Sequence, residues 1–427
     1  MKIIKTELNF EREPFKAPFG FKGKYLNGLW QTVVMLESEN KNQGIGIGVQ
    51  SVLWSDSQIF SRFSAEAGNA VMFLLTEYAL KNCIEYEFDT PVELLDYLFP
   101  LLCEYGKKLT GEAMRETFAL NALVPVDLAA WQLYAEEKRI NNFDDMISKR
   151  YSSTLDVKHS KLACIPLVNY SLTGDDIKSL LNEGFFFFKI KVGNDPDKDG
   201  NINKMLQWDK KRLLQIHSLL KDTEIQWTTD GKIPYYLDAN GRYPDKNVLE
   251  DFLSYADGIG ALDRIILFEE PFPEEYKDYI GNLPVRIAAD ESAHTVKDVI
   301  ERLDLGYKAI ALKPIAKTLS MSLKIAAICK ERKIPCFCAD LTVPPVMIEW
   351  NKNVAARLDP LPGMKIGVLE TNAHQNYKNW TQIMGYHPYP ESQWAYSKNG
   401  LFTLNDDFYI NSGGIFEKVD HYRKLVT

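Results

Sequence analysis

Three observations predict a (β/α) barrel set behind a small α+β domain. From about residue 162 a strand-then-helix rhythm runs for about 210 residues, a length typical of such barrels. Its strand segments read as near-continuous apolar runs, as parallel strands buried on both faces must. Before that point the order is strands first and helices afterwards, the order of an α+β domain.

In the first part, WQTVVMLES and GIGIGVQSV alternate apolar and polar residues on either side of Asn42-Gln43-Gly44 and predict a hairpin. SRFSAEAGNAVMFLLTEYALKN, PVELLDYLFPLLCEYGKKL and VPVDLAAWQLYAEEKR follow with helical periodicity. The barrel strands are CIPLVNY, FFFFKIKVG, IPYYLDAN, IILFEEP, VRIAADE, AIALKP, IPCFCAD and KIGVLETN. Between them stand helical segments such as GDDIKSLLNE, MLQWDKKRLLQIHSLLK, NVLEDFLSYADG, HTVKDVIERLD, LSMSLKIAAICKER and VPPVMIEWNKNVAARL. An open doubly wound sheet is the alternative, but eight units favour closure. The last ~40 residues are aromatic and irregular and are expected to return over the first domain. The division is thus residues 1–130, 131–385 and 386–427.

The bulk numbers narrow the class. A chain of 427 residues leads one to expect about two domains, and 45% hydrophobic with 25% charged residues is ordinary globular composition. A net charge of −8 argues against nucleic acid, which needs a basic stripe. The six cysteines (Cys83, Cys103, Cys164, Cys329, Cys336 and Cys338) sit in apolar surroundings and read as reduced, buried thiols. A zinc site is a poor second, since no histidine pair stands at ligand spacing. No apolar run reaches membrane-spanning length, and MKIIKTELNFERE is not a signal peptide. The expectation is a cytoplasmic protein.

The chemistry gathers at the strand ends. Strand two ends in Lys189-Ile190-Lys191, strand three in Asp238-Ala239-Asn240, and strand four in Glu269-Glu270. Strand five ends in Asp290-Glu291, strand six in Lys313 and strand seven in Asp340. A barrel brings these ends to one rim, the face where active sites are built. Taken singly, each acid reads better as a solvated strand end or a helix cap; together they repel one another unless a cation lies between them. Hard oxygen ligands from a few carboxylates suit Mg²⁺, with Asp238, Glu269 and Asp290 as the trio from adjacent strands. Lys-Ile-Lys alone is most often a solvated face. Here it follows four phenylalanines in a strand buried on both sides. Strands two and six lie on opposite sides, so Lys191 and Lys313 face each other across the mouth. Lysines near other cations have lowered pKa values, as a lysine base requires, and such a pair can exchange a proton on both faces of a carbon.

KIK, LDAN, FEEP, ADES and LKP, in that order and on those strands, resemble the enolase superfamily, closest to its muconate-lactonizing-enzyme and dipeptide-epimerase branch. The resemblance covers nearly the whole chain and implies a modified (β/α)7β TIM barrel with an α+β capping domain. It implies metal ligands Asp238, Glu269 and Asp290, catalytic bases Lys191 and Lys313, and supporting residues Lys189, Asn240, Glu270 and Glu291. It also implies one Mg²⁺ per subunit, a small-molecule carboxylate substrate and a homo-oligomer. The implied reaction is racemisation or epimerisation of an N-acyl amino acid or dipeptide, begun by removing the proton α to a carboxylate. A cycloisomerase or dehydratase would use the same site, and a barrel that binds a carboxylate without turnover is the remote alternative.

The likeness weakens at strand eight. Dipeptide epimerases end that strand in Asp-x-Asp to hold an ammonium group; here Glu370-Thr371-Asn372 stands instead. PFKAPFGFKGKYLNG matches the family's mobile specificity loop, with Gly20 and Gly23 permitting motion. Phe19, Phe21, Lys24, Glu370 and Asn372 are therefore the substrate-binding candidates. Gly44-Ile45-Gly46-Ile47-Gly48 lacks nucleotide-loop spacing and reads as a hairpin strand. His294 reads as a first-turn helix residue, and His374 stands at even odds as a substrate contact.

Overall fold

The structure, a computed structural model, describes residues 1–21, 24–111 and 114–427. A three-stranded antiparallel sheet, β1 (Ile3–Phe21), β2 (Lys24–Ser38) and β3 (Gln43–Gln50), opens the chain. The expected hairpin is β2–β3, in register from Trp30 opposite Gln50 to Glu37 opposite Gln43. β1 has no counterpart in the expectations, because charges interrupt its alternation. Of the segment expected as a loop, 14–28, residues 14–21 and 24–28 form the far end of the β1–β2 pair, with a register irregularity between Pro14 and Phe19. Gly23 lies outside the described residues.

Helices Ser57–Cys83, bent at Ser64, and Glu116–Lys138 cover this sheet, and Pro91–Thr110 packs against both of them. The glycines of β3 explain how helix Glu116–Lys138 lies so close. A Cβ on Gly44 would stand 2.0 Å from the Ala129 carbonyl, and one on Gly46 would stand 1.9 Å from that of Pro125. Helix Glu116–Lys138 is buried along nearly its whole length and also docks the barrel. Asp127 accepts from the backbone N–H groups of Leu319 (2.8 Å) and Ser320 (3.2 Å), satisfying donors at the start of helix Leu319–Glu331. Trp131 donates to the Ser320 hydroxyl at 2.9 Å.

The second sheet closes on itself. Its strands are β4 (Lys161–Ile165), β5 (Leu167–Val168), β6 (Phe188–Lys191), β7 (Tyr235–Asp238), β8 (Ile265–Glu269), β9 (Ile287–Ala289), β10 (Ala309–Leu312), β11 (Cys336–Cys338), β12 (Gly367–Glu370) and β13 (Leu401–Thr403). Neighbours from β5 to β12 pair in parallel, and β12 pairs in parallel with β4. β4 and β5 are one stretch interrupted only by Pro166, which has no N–H for the ladder. The two ends of the sheet are therefore one strand, and the doubly wound alternative falls. Each of the eight expected strand segments contains its observed strand or overlaps it. Helices return between strands except from β8 to β9, where residues 270–286 run as turns.

The chain after β12 ties both parts together. β13 adds antiparallel to β4, at the foot of the barrel. Further on, the Gln132 side chain donates to the carbonyls of Ile415 (3.1 Å) and Glu417 (3.3 Å), and Asn9 donates to that of Leu425 at 2.8 Å. Among the described residues no helix is long and apolar enough to cross a membrane, and the six cysteines are unbridged.

Candidate active site

The parallel register delivers the predicted residues to one mouth. Lys191 pairs with Asp238, and Asp238 with Glu269, across neighbouring strands. Each is the last residue of an apolar strand, so its backbone is fixed by the ladder while its side chain leaves the packed core. Lys189 lies innermost, donating to Glu269 (3.0 Å) and Glu370 (3.1 Å) with Asp238 at 3.1 Å. Lys191 donates to Asp238 (2.6 Å) and Asn240 (2.5 Å). On the opposite side Lys313 donates to Asp290 at 2.5 Å. All of these side chains are buried.

Electrostatics divides them. Burial would raise the Asp238 carboxyl, but Lys189 and Lys191 outweigh it and hold it down at about 2. Asp290 is held well below the carboxylate range against its burial, by Lys313 and Lys317. Glu269 behaves oppositely: burial pushes it up to about 8, and Lys189 does not fully offset this, with Asp290 adding to the rise. Burial works against the Lys313 ammonium, yet Asp290 beside it lifts that lysine above its ordinary value. The lowering expected from neighbouring cations is therefore not found at Lys313, because a carboxylate stands closer than any other lysine.

The donor set fits a hard divalent cation. Oxygens of Glu269, Asp290 and Glu291 lie within 4.8 Å of one another. Glu291 accepts from Asn240 through one oxygen (2.8 Å), while its other oxygen is buried without a partner. Seven buried acids (Asp238, Glu269, Glu270, Asp290, Glu291, Asp340 and Glu370) face four buried lysines (Lys189, Lys191, Lys313 and Lys317). So many buried carboxyl groups beside fewer lysines suit a cation between them, because burial alone disfavours their charged forms. Relative to the expected trio, Glu291 stands in the cluster where Asp238 was placed, because Lys189 and Lys191 draw Asp238 towards β6. Glu270 serves behind them, accepting from the N–H groups of Asp290 (2.8 Å) and Ser292 (3.3 Å). Asn240 and Glu270, just past the ends of β7 and β8, both adopt positive φ (47° and 39°), which turns the chain sharply there.

The first domain roofs this floor. The β1–β2 hairpin crosses the mouth and is pinned beyond β12: Lys378 N–H donates to the Pro14 carbonyl (3.0 Å) and Lys16 to that of His374 (2.9 Å). The cavity beneath holds about 560 Å³ not filled by atoms, part of it open to solvent. Phe19, Glu370 and Asn372 line it, as the sequence leads one to expect; Lys24 does not, being exposed, and the Phe21 side chain lies outside the described positions. His374 faces a separate outer groove beside Phe185, and His294 pairs with Glu274 at 2.6 Å; neither lines the cavity.

Two residues at the site escaped the sequence reading. Lys317 is fully buried and donates to the backbone carbonyls of Asp290 (2.5 Å) and Ala293 (3.0 Å). Its place four residues after Lys313, on the same side of one helical turn, was the available signal. Trp54 lies over the Lys313 ammonium, 4.5 Å from it, and nothing in its own segment announced that contact.

Residues 173–361 match the family described as enolase C-terminal domain-like. No curated protein matches the chain by sequence. Among solved structures, an N-succinyl Arg/Lys racemase from Bacillus cereus superposes with a TM-score of 0.69 at 13% identity, covering 100% of this chain and 98% of its own. A mandelate racemase/muconate lactonizing protein from Herpetosiphon aurantiacus gives 0.66 at 16% identity, over 95% and 96%. A dipeptide epimerase from Enterococcus faecalis, solved with Mg and the dipeptide L-Leu-L-Tyr, gives 0.63 at 16% identity, over 89% and 92%. These likenesses establish the fold, a capped and modified TIM barrel. The barrel segment of this chain, residues 173–361, belongs to the enolase superfamily.

Proposed function

We propose that the protein is a Mg²⁺-dependent racemase or epimerase that removes the proton α to a substrate carboxylate and returns one on the opposite face. One observation carries the reading: Lys191 and Lys313 end strands on opposite sides of the barrel and flank a buried cluster of acids. In our reading the substrate's α-carbon lies between the two lysines, and the amino nitrogen is acylated or part of a peptide. Transfer in either direction needs one lysine protonated and the other not. Each lysine serves as base towards one configuration and as acid towards the other, Lys313 oriented by Asp290 and Lys191 by Asp238 and Asn240. Glu269 and Asp290, with Glu291 or Asp238, would hold the cation, which supplies a Lewis-acidic charge beside the substrate carboxylate. Lys189 keeps Glu269 and Glu370 in place behind it. The roof excludes water, which strengthens every charge interaction inside.

The test is incubation with a panel of N-acyl amino acids and dipeptides in D₂O with Mg²⁺. We expect α-deuterium uptake with inversion, followed by mass spectrometry and chiral chromatography. A new ultraviolet-absorbing or keto product without inversion would replace this reading with cycloisomerase or dehydratase chemistry. No exchange across the panel would refute proton abstraction at this site.

A further inference from the structure

The acid cluster is held from two sides, and one of them belongs to the first domain. Past the end of β9 the chain turns through Asp290, Glu291, Ser292 and Ala293, and side chains take up its polar backbone groups. Lys317 donates to the carbonyls of Asp290 (2.5 Å) and Ala293 (3.0 Å), while Glu270 accepts from the N–H groups of Asp290 (2.8 Å) and Ser292 (3.3 Å). The Glu291 carbonyl, between them, accepts from Arg115 Nη2 at 3.1 Å. Lys317 and Glu270 stand in the barrel. Arg115 does not.

Arg115 immediately precedes helix Glu116–Lys138, and its backbone is fixed inside the first domain. Its N–H donates to one oxygen of Asp56 at 3.0 Å, and the other oxygen caps helix Ser57–Cys83 by accepting from the N–H groups of Gln58 and Ile59 (3.0 Å each). Two residues before Asp56, Trp54 lies over the Lys313 ammonium. The same piece of the first domain therefore meets the β10 lysine with a ring and the β9 acid turn with a guanidinium.

Glu274 aims that guanidinium. Nη2 of Arg115 also donates to the Glu274 carboxylate, which stands on the turns between β8 and β9. The other Glu274 oxygen pairs with His294 at 2.6 Å, and Arg302 donates to the Glu274 carbonyl at 2.6 Å. Burial would raise the Glu274 carboxyl, but His294 and Arg115 hold it down at about 2. An ionised acceptor outcompetes a neutral one, so Glu274 sets where the arginine lies and the Glu291 carbonyl takes the remaining N–H. What this carbonyl carries is the Glu291 side chain. Asn240 holds one of its oxygens at 2.8 Å, and its carboxylate stands in the cluster with Glu269 and Asp290.

We propose that Arg115 is a positioning residue for the cation site: through this one side chain the first domain fixes the Glu291 backbone and with it the acid cluster. The proposal rests on the metal-dependent reading above and assigns part of that site to the other domain. A neighbouring ion pair between the same domains supplies the control. Lys324 on helix Leu319–Glu331 pairs with Asp96 on helix Pro91–Thr110 at 2.5 Å, in the same surface groove as Arg115, and does not line the mouth. Calorimetric titration of chelator-treated protein should show Arg115→Met raising the Kd for Mg²⁺ about tenfold, the lower end of what outer-shell partners contribute. Lys324→Met should leave it unaltered. In the metal-free protein, hydrogen exchange followed by mass spectrometry should quicken across residues 290–294 in Arg115→Met and not in Lys324→Met. Glu274→Gln keeps the arginine but removes the charge that aims it, and should move both readings the same way by less; it also serves as the test if Arg115→Met does not fold. A mere fastening of the two domains would lower the thermal transition and leave Kd and local exchange as they were, which overturns the proposal. So does a Lys324→Met variant that raises the Kd as much as Arg115→Met. If exchange at 290–294 quickens as expected but the unmodified protein binds no Mg²⁺, the metal reading fails while the hold of Arg115 on the turn stands.

Discussion

Among the described residues, two clusters of buried lysine and carboxylate stand apart, and only one looks like a place for chemistry. Beneath the chain that follows β12, Lys352 on helix Pro345–Ala355 donates to Glu349 (2.5 Å) and to the Trp394 carbonyl (2.6 Å), with His387 at 3.2 Å from the same carboxylate. At the barrel mouth Lys191 and Lys313 are held just as closely by Asp238 and Asp290. Burial and short distances are therefore common to both. What separates them is balance and access: one acid faces one lysine around Lys352, whereas acids outnumber lysines at the mouth and a cavity opens above them. A buried ion pair by itself is a structural fastening; a surplus of one sign beside a cavity is a vacancy for a ligand of the other.

The largest effect should come from breaking the mouth at its lysines. Lys191→Ala and Lys313→Ala are each expected to lower α-proton exchange by roughly 10²–10⁴-fold, the usual reach of a positioned acid or base. Asp238 keeps Lys189 and Asp290 keeps Lys317, so neither variant should lose its fold. Circular dichroism alongside the deuterium assay checks both halves. The remote cluster should respond in the reverse way. Lys352→Met leaves the buried Glu349 without its lysine and with only His387 beside it, and should cost about 3–5 kcal/mol of stability, read by denaturant unfolding. The kcat of the folded fraction should be unchanged. If Lys352→Met impairs exchange as strongly as Lys191→Ala, the distinction between the two clusters collapses.

This contrast also explains what could be read from the sequence. The floor was legible because its residues stand at or near the ends of near-continuous apolar strands, and the barrel then places all such ends on one rim. Lys189, Lys191, Asp238, Glu269, Asp290 and Lys313 were found that way. The exchange of Asp238 for Glu291 in the tight acid cluster was not, since it depends on where the lysine side chains reach. The roof was mostly illegible. Trp54 and Leu29 meet the floor only because helix Glu116–Lys138 docks the first domain on the barrel, and no local pattern records that contact. The segment over the mouth was expected as a loop because it matches the place of the family's mobile loop, with Gly20 and Gly23 permitting motion.

Cation binding gives a smaller effect of the opposite sign. Stripping the protein with a chelator should stop exchange, and Mg²⁺ should restore it. Because the surplus of acids exists only in the folded state, Mg²⁺ at 100 times its Kd should add about 2.7 kcal/mol of stability. Thermal unfolding with and without the ion measures this independently of activity. Glu291→Gln should weaken the stabilisation, and Glu349→Gln should not alter it. An unchanged transition in saturating Mg²⁺ would mean that the lysines alone neutralise the mouth.

His374 shows a third arrangement of a titratable group, away from the mouth and set against aromatic rings beside an outer groove. Its ring lies near parallel to Phe185, 6.3 Å between centroids, and 6.5 Å from Trp380. Burial pushes it down from 6.5 to about 4, with Lys16 adding to the shift, so the ring is neutral in the folded protein near pH 7. Between those two values the unfolded chain binds a proton that the folded chain refuses. Stability from this group is complete above about pH 6.5, falls as the pH drops, and is fully lost below about 4, a swing on the order of 2 kcal/mol. His374→Gln should flatten the stability profile across that interval relative to the unaltered protein, while exchange activity at pH 8 stays the same. The backbone carbonyl that receives Lys16 is retained in that variant, so the hairpin keeps its anchor and the difference in slope isolates the imidazole.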